Sequence, residues 1–306
     1  MPVCSDAGIT TTMTMQHHVR AALALVFMFI NTTVLVGLLY LLALGKVIPI
    51  RRVQVATSRL LVHVAETWIS INNAIIALFS RPRWKVEGLE GLSYDDWYLV
   101  TSNHQSWADI LVLQRTFNRR IPFLKFFLKR ELIKVPLLGL AWWALDFPFM
   151  KRYTKEELER HPELRGQDVA TTRRACERFQ YFPTSVMNFV EGTRFTRAKH
   201  DAQDSPYEHL LKPKAGGLAF TLDAMAGTLK NMLDVTIVYP PGTPRSLTAF
   251  LGGAVREVRV IVQHRVIPTW ASQGDYQNDP EFRARFQAWI GELWSEKDQL
   301  LQQYYS

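Results

Sequence analysis

The sequence predicts an α/β protein in which a partly parallel sheet is flanked by helices and is preceded by N-terminal membrane-associated helices. Three strand-like runs, at 97–103, 185–192 and 232–240, are separated by segments with helical spacing of apolar residues. Strands that alternate with helices are typical of α/β layers. Ahead of them, residues 21–45 carry no charged side chain, which is the composition of a membrane segment.

The amino-acid composition excludes some classes of protein and indicates the charge of the partner. The chain has 306 residues, 48% of them hydrophobic and 21% charged, so a sizeable core is expected and a disordered chain is excluded. The formal net charge of +8 indicates an anionic partner, such as a nucleic acid, a phospholipid surface or an acidic protein. Two cysteines occur, Cys4 and Cys176, without a CxxC pair, and this argues against a metal site and for a reducing compartment.

The first element is the apolar segment 21–45. As a helix it would measure about 37 Å, longer than the roughly 30 Å hydrocarbon core of a bilayer. A signal peptide is the alternative, but its apolar region spans only about 7–15 residues before a cleavage site, whereas this segment runs on into "KVIPIRR". The polar residues at 31–33 leave a second geometry open, a helical hairpin that enters the membrane and returns.

The second element is the largely apolar stretch 57–80, which predicts a helix lying in the membrane interface or, alternatively, a core helix. Basic residues follow 21–45 at Lys46, Arg51 and Arg52. Under the positive-inside rule they place the downstream chain in the cytoplasm. We therefore expect two parts, a membrane segment with an interfacial helix over 1–80 and a folded domain over 81–306.

The folded domain has further elements that its spacing predicts. Residues 256–267 alternate like an edge strand. Residues 135–150 are apolar and broken by Pro and Gly, 151–174 form a charged surface excursion, and 197–213 form a polar loop. Helical spacing is found at 106–117, 122–133, 173–182, 215–227 and 279–303.

Chemically distinctive strings follow the three clearest strands. They are Asn103-His104, the string 191–194 ("EGTR"), and the string 240–242 ("PPG"). In open α/β sheets, ligands bind beyond the carboxyl ends of the strands. If these strands are parallel, all three strings lie on one rim of the sheet.

The string "SNHQSWADI" at 102–110 allows two interpretations. Ser106 and Asp109 resemble a capping box, in which the aspartate only closes the helix start. Alternatively, Asp109 holds the imidazole of His104 in one tautomer, and the other ring nitrogen takes a proton from a hydroxyl.

The string "EGTR" is equally open. It fits a turn with an exposed ion pair, in which Gly192 takes a left-handed backbone angle. It also fits a phosphate site, because the guanidinium of Arg194 forks onto two oxygens. A phosphate there would explain the nearby Lys212 and Lys214.

Together, "NHQSWAD" and "FVEGTR" resemble the glycerophospholipid acyltransferase family, which includes the 1-acylglycerol-3-phosphate and lysophospholipid acyltransferases. The segments 139–152 and 235–240 resemble two further blocks of that family, so the resemblance covers about 85–267. Within this family, the sequence of these segments most resembles a bacterial inner-membrane acyltransferase and resembles lysocardiolipin acyltransferases less. There are three departures. Val190 stands where the family has Pro, Phe195 stands where Ser is frequent, and a Lys-Arg pair replaces one clear basic position at 151–152.

The resemblance implies transfer of an acyl group from acyl-CoA or acyl carrier protein to the free hydroxyl of a lysophospholipid, with 1-acylglycerol-3-phosphate giving phosphatidic acid. His104 would be the general base and Asp109 its orienter, with no acyl-enzyme, no cofactor and no metal. The implied location is the bacterial inner membrane, with the catalytic domain facing the cytoplasm. Residues implied to bind substrate are Asn103, Glu191, Gly192, Thr193, Arg194, Lys151, Arg152 and Lys214.

The donor and the acyl chain have weaker indications. Lys125, Lys129 and Arg130 would offer a basic face to acyl carrier protein or to the phosphates of acyl-CoA, although a solvated helix face or a membrane contact would look the same. The apolar residues 135–150 would hold the acyl chain. Rival functions are acylation of another lysophospholipid and a non-catalytic lipid-binding membrane protein with the same fold. No recognised motif supports a nucleic-acid partner.

Overall fold

The computed structural model describes residues 13–150, 160, 179, 182–225 and 227–306. An α/β architecture is confirmed. The helices and strands, in chain order, are α1 (Met15–Ala43), α2 (Arg51–Phe79), β1 (Arg83–Glu87), β2 (Tyr98–Ser102), α3 (Ala108–Phe117), β3 (Leu124–Phe126), β4 (Leu128–Lys129), α4 (Leu138–Ala144), β5 (Phe149–Met150), β6 (Ser185–Phe189), α5 (Arg197–Ala202), α6 (Ala215–Ala224), β7 (Asn231–Val238), α7 (Leu247–Gly252), β8 (Glu257–Val266) and α8 (Pro280–Tyr305). Short 3₁₀ helices occur at Leu44–Val47, Arg130–Lys134 and Thr269–Ser272.

The main sheet has six strands in the order β1-β8-β7-β2-β6-β3. All its pairs are parallel except β7 with β8, which is antiparallel. Strand β2 lies between β6 and β7, and all five of its residues are buried. Ser102 at its end pairs with Phe189 of β6 and with Val235 of β7. The carboxyl ends of these three parallel strands therefore open onto one rim, as the sequence predicts.

The prediction that 256–267 forms an edge strand was wrong in position. Strand β8 lies inside the sheet, between β7 and β1, and β1 takes the edge. Buried and half-exposed residues alternate along the first part of β8, because one face of the sheet there packs on the core while the other is partly open. Alternation reports a half-exposed face, and it does not distinguish an edge strand from an inner one.

The prediction of an amphipathic helix over 122–133 was also wrong. This segment forms β3, β4 and a 3₁₀ helix, since pairing of β3 with β6 overrides the local helical spacing. Lys125 is only 8% exposed, and its ammonium lies 4.6 Å from the centre of the Phe179 ring. It therefore does not share an exposed basic face with Arg130.

Of three other predicted segments, one differs from the structure and two lie largely outside the described residues. The expected polar loop at 197–213 contains a short helix, α5. The charged excursion at 151–174 and the helix at 173–182 fall, except for three single positions, outside the described residues.

Helix α1 continues without a break through the polar residues at 31–33, so a hairpin within 21–45 is wrong. The hydroxyls of Thr32 and Thr33 donate to carbonyls one turn back in the same helix. Asn31 points instead at α2, where its amide donates to Asn72 Oδ1 at 2.9 Å and to the Trp68 carbonyl. The hairpin is thus formed by α1 and α2 together, and both are long and apolar enough to cross a membrane.

The helical hairpin is joined to the sheet through shared cores. Ala21 and Ala24 of α1 belong to the core cluster that contains β2, β7 and β8. Further along, Val36, Leu39 and Ala43 pack with α2 and α4 in a second cluster. The first helix therefore contacts the folded domain near both of its ends.

Candidate functional site

The rim of the sheet brings the first two strings into contact. After β2, the chain passes through 103–107 into α3. After β6, it turns at 190–194 and continues to α5. The backbone N–H of Phe195 donates to the carbonyl of His104 at 2.6 Å, which ties the two loops together. The third string contributes through the residue just before it, Tyr239, described below.

Asp109 lies in the first turn of α3 and is fully buried. Its Oδ2 accepts hydrogen bonds from the backbone N–H groups of Gln105 and Ser106 at 2.6 and 2.8 Å. The same oxygen lies 2.9 Å from Nδ1 of His104. The capping interpretation and the histidine-orienting interpretation are therefore both realised by one carboxylate.

His104 is held by more than this pair. Its ring stacks on Phe189 at 3.9 Å between ring centres, with 16° between the planes. The bond to Asp109 places the proton of the neutral ring on Nδ1, which leaves Nε2 with a lone pair. Among the described residues, Nε2 has no hydrogen-bond partner, and the side chain is 11% exposed. An approaching hydroxyl can therefore reach a basic nitrogen at the rim.

Glu191 holds the loop of His104 from the other side. Its carboxylate is fully buried and accepts the backbone N–H groups of His104 at 2.8 Å and of Leu211 at 3.0 Å. Burial disfavours the charged form and raises the pKa of Glu191 to about 7. In this structure the side chain positions backbone and has no open face for a ligand.

Asn103 is likewise inward-facing. It is fully buried, its amide donates to the carbonyl of Ile237 at 2.9 Å, and its Oδ1 accepts the N–H of Ile237 at 2.8 Å. These bonds join the end of β2 to β7. The geometry favours a structural role, so the substrate-binding role implied by the resemblance stays a prediction.

The turn after β6 presents the basic groups of the site. Gly192 has φ +67, a backbone angle that side chains with a Cβ rarely adopt, and its amide donates to Phe189 O at 2.9 Å. A Cβ there would approach the side chain of Lys214 to 3.0 Å, so the Lys214 side chain passes over this turn. Thr193 accepts a hydrogen bond from Lys199 at 2.7 Å, and the same ammonium donates to the carbonyl of Arg194.

Arg194 lies over an aromatic ring beside the histidine loop. Its guanidinium carbon is 4.7 Å from the ring centre of Trp107, a residue that is 55% exposed. The cation–π contact holds the guanidinium over Trp107, in the loop that follows His104, while leaving it half-exposed. Arg194, Lys199 and Lys214 thus surround one turn and suit an anionic group. The other predicted basic positions, Lys151 and Arg152, lie outside the described residues.

Sequence reasoning missed several residues of the site. Tyr239 is 1% exposed, and its hydroxyl donates to Asp109 Oδ1 at 2.7 Å. The Tyr239 position follows a strand that ends at the same rim, and this was the available signal. Trp107 and Lys199 were also missed, because only the tertiary contacts pair them with the turn at 192–194.

The string "HDAQD" at 200–204 also pairs a His with an Asp, and its place in a polar stretch with no strand before it predicts solvated surface. This prediction is wrong for its histidine. His200 is buried, and its ring bonds the Tyr207 carbonyl at 2.6 Å and Asp201 at 2.9 Å. It ties α5 to the following loop, and its ring lies 5.9 Å from that of Phe195 between ring centres. Among the described residues, no group of three or more His, Cys, Asp or Glu could hold a metal ion.

Comparison with known proteins agrees with this geometry. The sequence profile of the family described as Acyltransferase matches residues 83–240, just over half of the chain. Lysocardiolipin acyltransferase 1 of Danio rerio is 26% identical over 284 residues, covering 86% of this chain and 66% of that protein. The 1-acyl-sn-glycerol-3-phosphate acyltransferase gamma of Mus musculus is 28% identical over 188 residues, covering 59% of this chain and 45% of that protein. The chain thus spans just under two thirds of the first relative and less than half of the second.

Among solved structures, the 1-acyl-sn-glycerophosphate acyltransferase PlsC from Thermotoga maritima superimposes with a TM-score of 0.55. The match covers 95% of this chain and 99% of that one, at 17% sequence identity, and shows a shared fold. The family profile includes the strings around His104 and Arg194 as well as β2, β6 and β7. The chain therefore belongs to the acyltransferase family.

Proposed function

We infer that the protein transfers a fatty acyl group from a thioester, either acyl-CoA or acyl carrier protein, to the free hydroxyl of a lysophospholipid. The observation that carries this inference is the buried Asp109–His104 pair, with Nε2 of the ring open at the rim and Arg194 in the loop that the Phe195 N–H ties to that of His104. The first acceptor to test is 1-acylglycerol-3-phosphate, because cationic side chains surround the turn after β6. The relatives named above act on lysophospholipids of this class by their descriptions.

In the proposed reaction, Nε2 of His104 takes the proton of the acceptor hydroxyl as its oxygen attacks the thioester carbonyl. The new ester C–O bond forms and the C–S bond breaks. The imidazolium then protonates the departing thiolate, so the base is regenerated without an acyl-enzyme. Asp109 keeps Nδ1 protonated and stabilises the charged ring, while Arg194, with Lys214 beside it, binds the acceptor phosphate.

The proposal also includes where the protein lies in the cell. Helix α1 attaches the protein to a phospholipid membrane, and α2 lies beside it. The basic residues after α1 favour a cytoplasmic catalytic domain, and the resemblance favours the bacterial inner membrane. A division into a membrane part over 1–80 and an acyltransferase part over 81–306 remains our proposal, with the two parts sharing core contacts.

The decisive test uses purified full-length protein, a panel of lysophospholipids and both donor types, with product followed by mass spectrometry. His104→Ala should reduce turnover by about 10²- to 10⁴-fold or more, the usual contribution of a general base. His63→Ala, at an exposed position of α2, serves as the matched control. Substantial turnover by His104→Ala would refute the mechanism. If the parent protein forms no product with any acceptor of the panel, a non-catalytic lipid-binding protein is favoured.

Asp109→Asn separates the two roles of the carboxylate. Asparagine can still accept the backbone N–H groups of Gln105 and Ser106, so thermal stability should change little. It cannot supply the negative charge that stabilises the protonated ring, so kcat should fall by orders of magnitude. Activity and stability both retained in Asp109→Asn would show that Asp109 is only a helix cap.

A further inference from the structure

An exposed apolar surface lies beside α1 on the segment that leads into α4. Its members, named here the α4 patch, are large side chains that are each 41–46% exposed: Ile133, Leu137, Leu140 and Trp143. The opposite side of α4 is buried against α1 and α2 through Ala141 and Ala144. Helix α4 therefore has one face on the protein and one apolar face directed outwards.

The α4 patch continues the exposed apolar side of α1. The hydroxyl of Tyr40 in α1 donates to the carbonyl of Leu137 at 2.6 Å. Lys46, just after α1, donates to the carbonyl of Ala144 at 2.6 Å and pairs with Asp146. These bonds fix α4 against the end of α1, where Leu38, Leu41 and Leu44 are 40, 69 and 66% exposed.

Charge around the α4 patch favours a phospholipid surface over a protein partner. Arg130 and Lys134 are exposed on the preceding 3₁₀ helix, and Arg51 and Arg52 are exposed at the start of α2. Glu131 is the one acidic residue within 130–144. Cations near anionic headgroups, with a tryptophan at their level, are typical of an interfacial membrane contact.

We propose that the α4 patch inserts into the boundary between headgroups and acyl chains of an anionic bilayer, as a second membrane contact beside α1. The proposal concerns only the exposed side chains of this segment, and the prediction that the apolar residues of 135–150 hold the acyl chain stays a prediction. Since it concerns attachment, the proposal stands or falls independently of acyl transfer.

The test places single cysteines carrying an environment-sensitive fluorophore in full-length protein with Cys4 and Cys176 replaced by Ser. Leu140→Cys probes the α4 patch, Leu41→Cys probes α1, and Val266→Cys, at an 80% exposed position on β8, is the aqueous control. In vesicles of phosphatidylethanolamine and phosphatidylglycerol, the label at 140 should shift to shorter wavelength. Spin-labelled acyl chains should quench it, and aqueous iodide should quench it several-fold less than the label at 266.

Two outcomes would overturn the proposal. One is iodide quenching at 140 equal to that at 266, which would place the α4 patch in water. The other is protection from both quenchers, which would mean that protein or a second copy of the chain covers the surface.

A separate observation concerns the carboxylate behind the histidine. The hydroxyl of Tyr239 donates to Asp109 Oδ1, while Oδ2 serves His104 and two backbone N–H groups. One carboxylate thus receives four hydrogen bonds, and the tyrosine, which directly follows β7, is the only one of these donors from outside the loop 104–106. The geometry points to Tyr239 as a positioning residue that fixes the carboxylate plane and moderates its negative charge towards His104.

Other charged groups around this pair come from several elements. Burial, followed by the neighbouring Asp109 carboxylate, raises the pKa of Tyr239 well above its usual value, so its hydroxyl remains a donor. Tyr305 of α8 also raises the pKa of Tyr239, whereas the positive charge of Arg245, after β7, lowers it. Glu191 bonds the backbone of His104 from the turn after β6, and Arg194 lies over Trp107.

The inference rests on the proposed function, and its test is Tyr239→Phe with Tyr98→Phe as the matched control. Tyr98 is 3% exposed in β2, and its hydroxyl accepts the N–H of Ser93 away from the site. Loss of the Tyr239 donor should lower kcat about tenfold. It should also move the acidic limb of the kcat/KM profile to higher pH by about half to one pH unit, because a less shielded carboxylate stabilises the imidazolium more strongly.

If the Tyr239 hydroxyl only stabilises the fold, Tyr239→Phe should lower the melting temperature, as Tyr98→Phe does, and leave the acidic limb of the pH profile in place. If Tyr239→Phe keeps the parent's kcat and acidic limb while His104→Ala is inactive, only the positioning role is refuted. If His104→Ala is itself active, the proposed function fails first.

Discussion

At the scale of single residues, the site depends on carboxylates that differ in what surrounds them. Asp109 is buried but receives four hydrogen bonds, one of them from the histidine ring. Glu191 is buried with two backbone donors, and burial raises its pKa to about 7. The first carboxylate orients the imidazole, whereas the second orders the backbone on which that imidazole stands.

The raised pKa of Glu191 predicts a pH dependence of stability. Between about pH 4.5 and 7 the unfolded chain has lost this proton while the folded protein keeps it. The free energy of unfolding should therefore decrease as pH rises through that window, by roughly 3 kcal/mol for this group, and level off above it. Glu191→Gln removes this titration, so its melting temperature should fall less steeply between pH 5 and 7.5 than that of the parent.

The control for this measurement is Glu208→Gln, a surface carboxylate that is 63% exposed. It should run parallel to the parent protein at every pH. Parallel curves for Glu191→Gln as well would show that Glu191 is ionised in the folded state throughout.

Arg194→Lys tests phosphate recognition. Lysine keeps the charge but loses the fork onto two oxygens and the flat contact with Trp107, so it should substitute poorly. We expect the apparent KM for the lysophospholipid to rise about 10- to 100-fold with little change in the donor KM. Arg197→Lys is the control, because Arg197 is exposed and pairs with Asp201 one turn away.

An effect on the donor KM instead of the acceptor KM would give Arg194 a different role. If Arg194→Lys raises only the KM of the thioester donor, Arg194 serves the donor. The acceptor phosphate would then be sought at Lys151, Arg152, Lys212 or Lys214.

At the scale of elements, polar bonds between apolar helices set how α1 and α2 pair. Asn31 is 7% exposed and Asn72 is 2% exposed, and they are bonded to each other at 2.9 Å. Trp68 adds a bond from its ring N–H to Thr32 at 3.0 Å. Such bonds fix the register of two surfaces that apolar contacts alone would leave able to slide.

A double-mutant cycle on this pair measures that contribution. Asn31→Leu leaves the amide of Asn72 without its partner and should destabilise the protein by about 1–3 kcal/mol. Adding Asn72→Leu should recover part of the loss, because the second polar group is then removed too. Thermal unfolding in detergent gives the values, and Thr33→Ala, whose hydroxyl bonds only its own helix, is the control. Strictly additive losses would show that the two amides are not coupled.

Another element-scale contact anchors the final helix under the site. Lys297 of α8 is fully buried, and its ammonium reaches Asp234 at 2.8 Å and the carbonyl of Val235 at 2.7 Å in β7. Burial lowers the pKa of Lys297, and the Asp234 carboxylate opposes that shift. Asp234 also accepts the hydroxyl of Thr101, so this contact links α8, β7 and β2 behind the rim.

At the scale of the whole molecule, the apolar helices are part of the fold as well as of the proposed membrane attachment. Because Ala21 and Ala24 belong to the core of the sheet, removing residues 1–55 should expose that core. The shortened chain should therefore aggregate.

Attachment is better tested on the intact chain. Membranes that contain the full-length protein should retain it through high salt and alkaline carbonate and release it to detergent, because apolar contact is not screened by salt. Immunoblotting of the membrane and soluble fractions measures this. Intact protein in the soluble fraction without detergent would contradict membrane attachment.

The sequence by itself determined the features that depend on short stretches of chain. The strands that became β2, β6 and β7, the helix after His104 and the long apolar helix all follow from local periodicity and composition. The pairing of His104 with Asp109 was also within reach, because five positions across a strand-to-helix turn bring two side chains together.

The tertiary structure alone decided what depends on partners distant in sequence. Within 122–133, β3 formed because β6 offered it a neighbour and β4 formed because it pairs with β5. Strand β8 became an inner strand because β1 paired along its other side. The inward faces of Asn103 and Glu191, and the Tyr239 hydroxyl on Asp109, require β2, β6 and β7 to be aligned. The physical reason is that burial and hydrogen bonding are properties of the assembled surroundings, which local pattern does not contain.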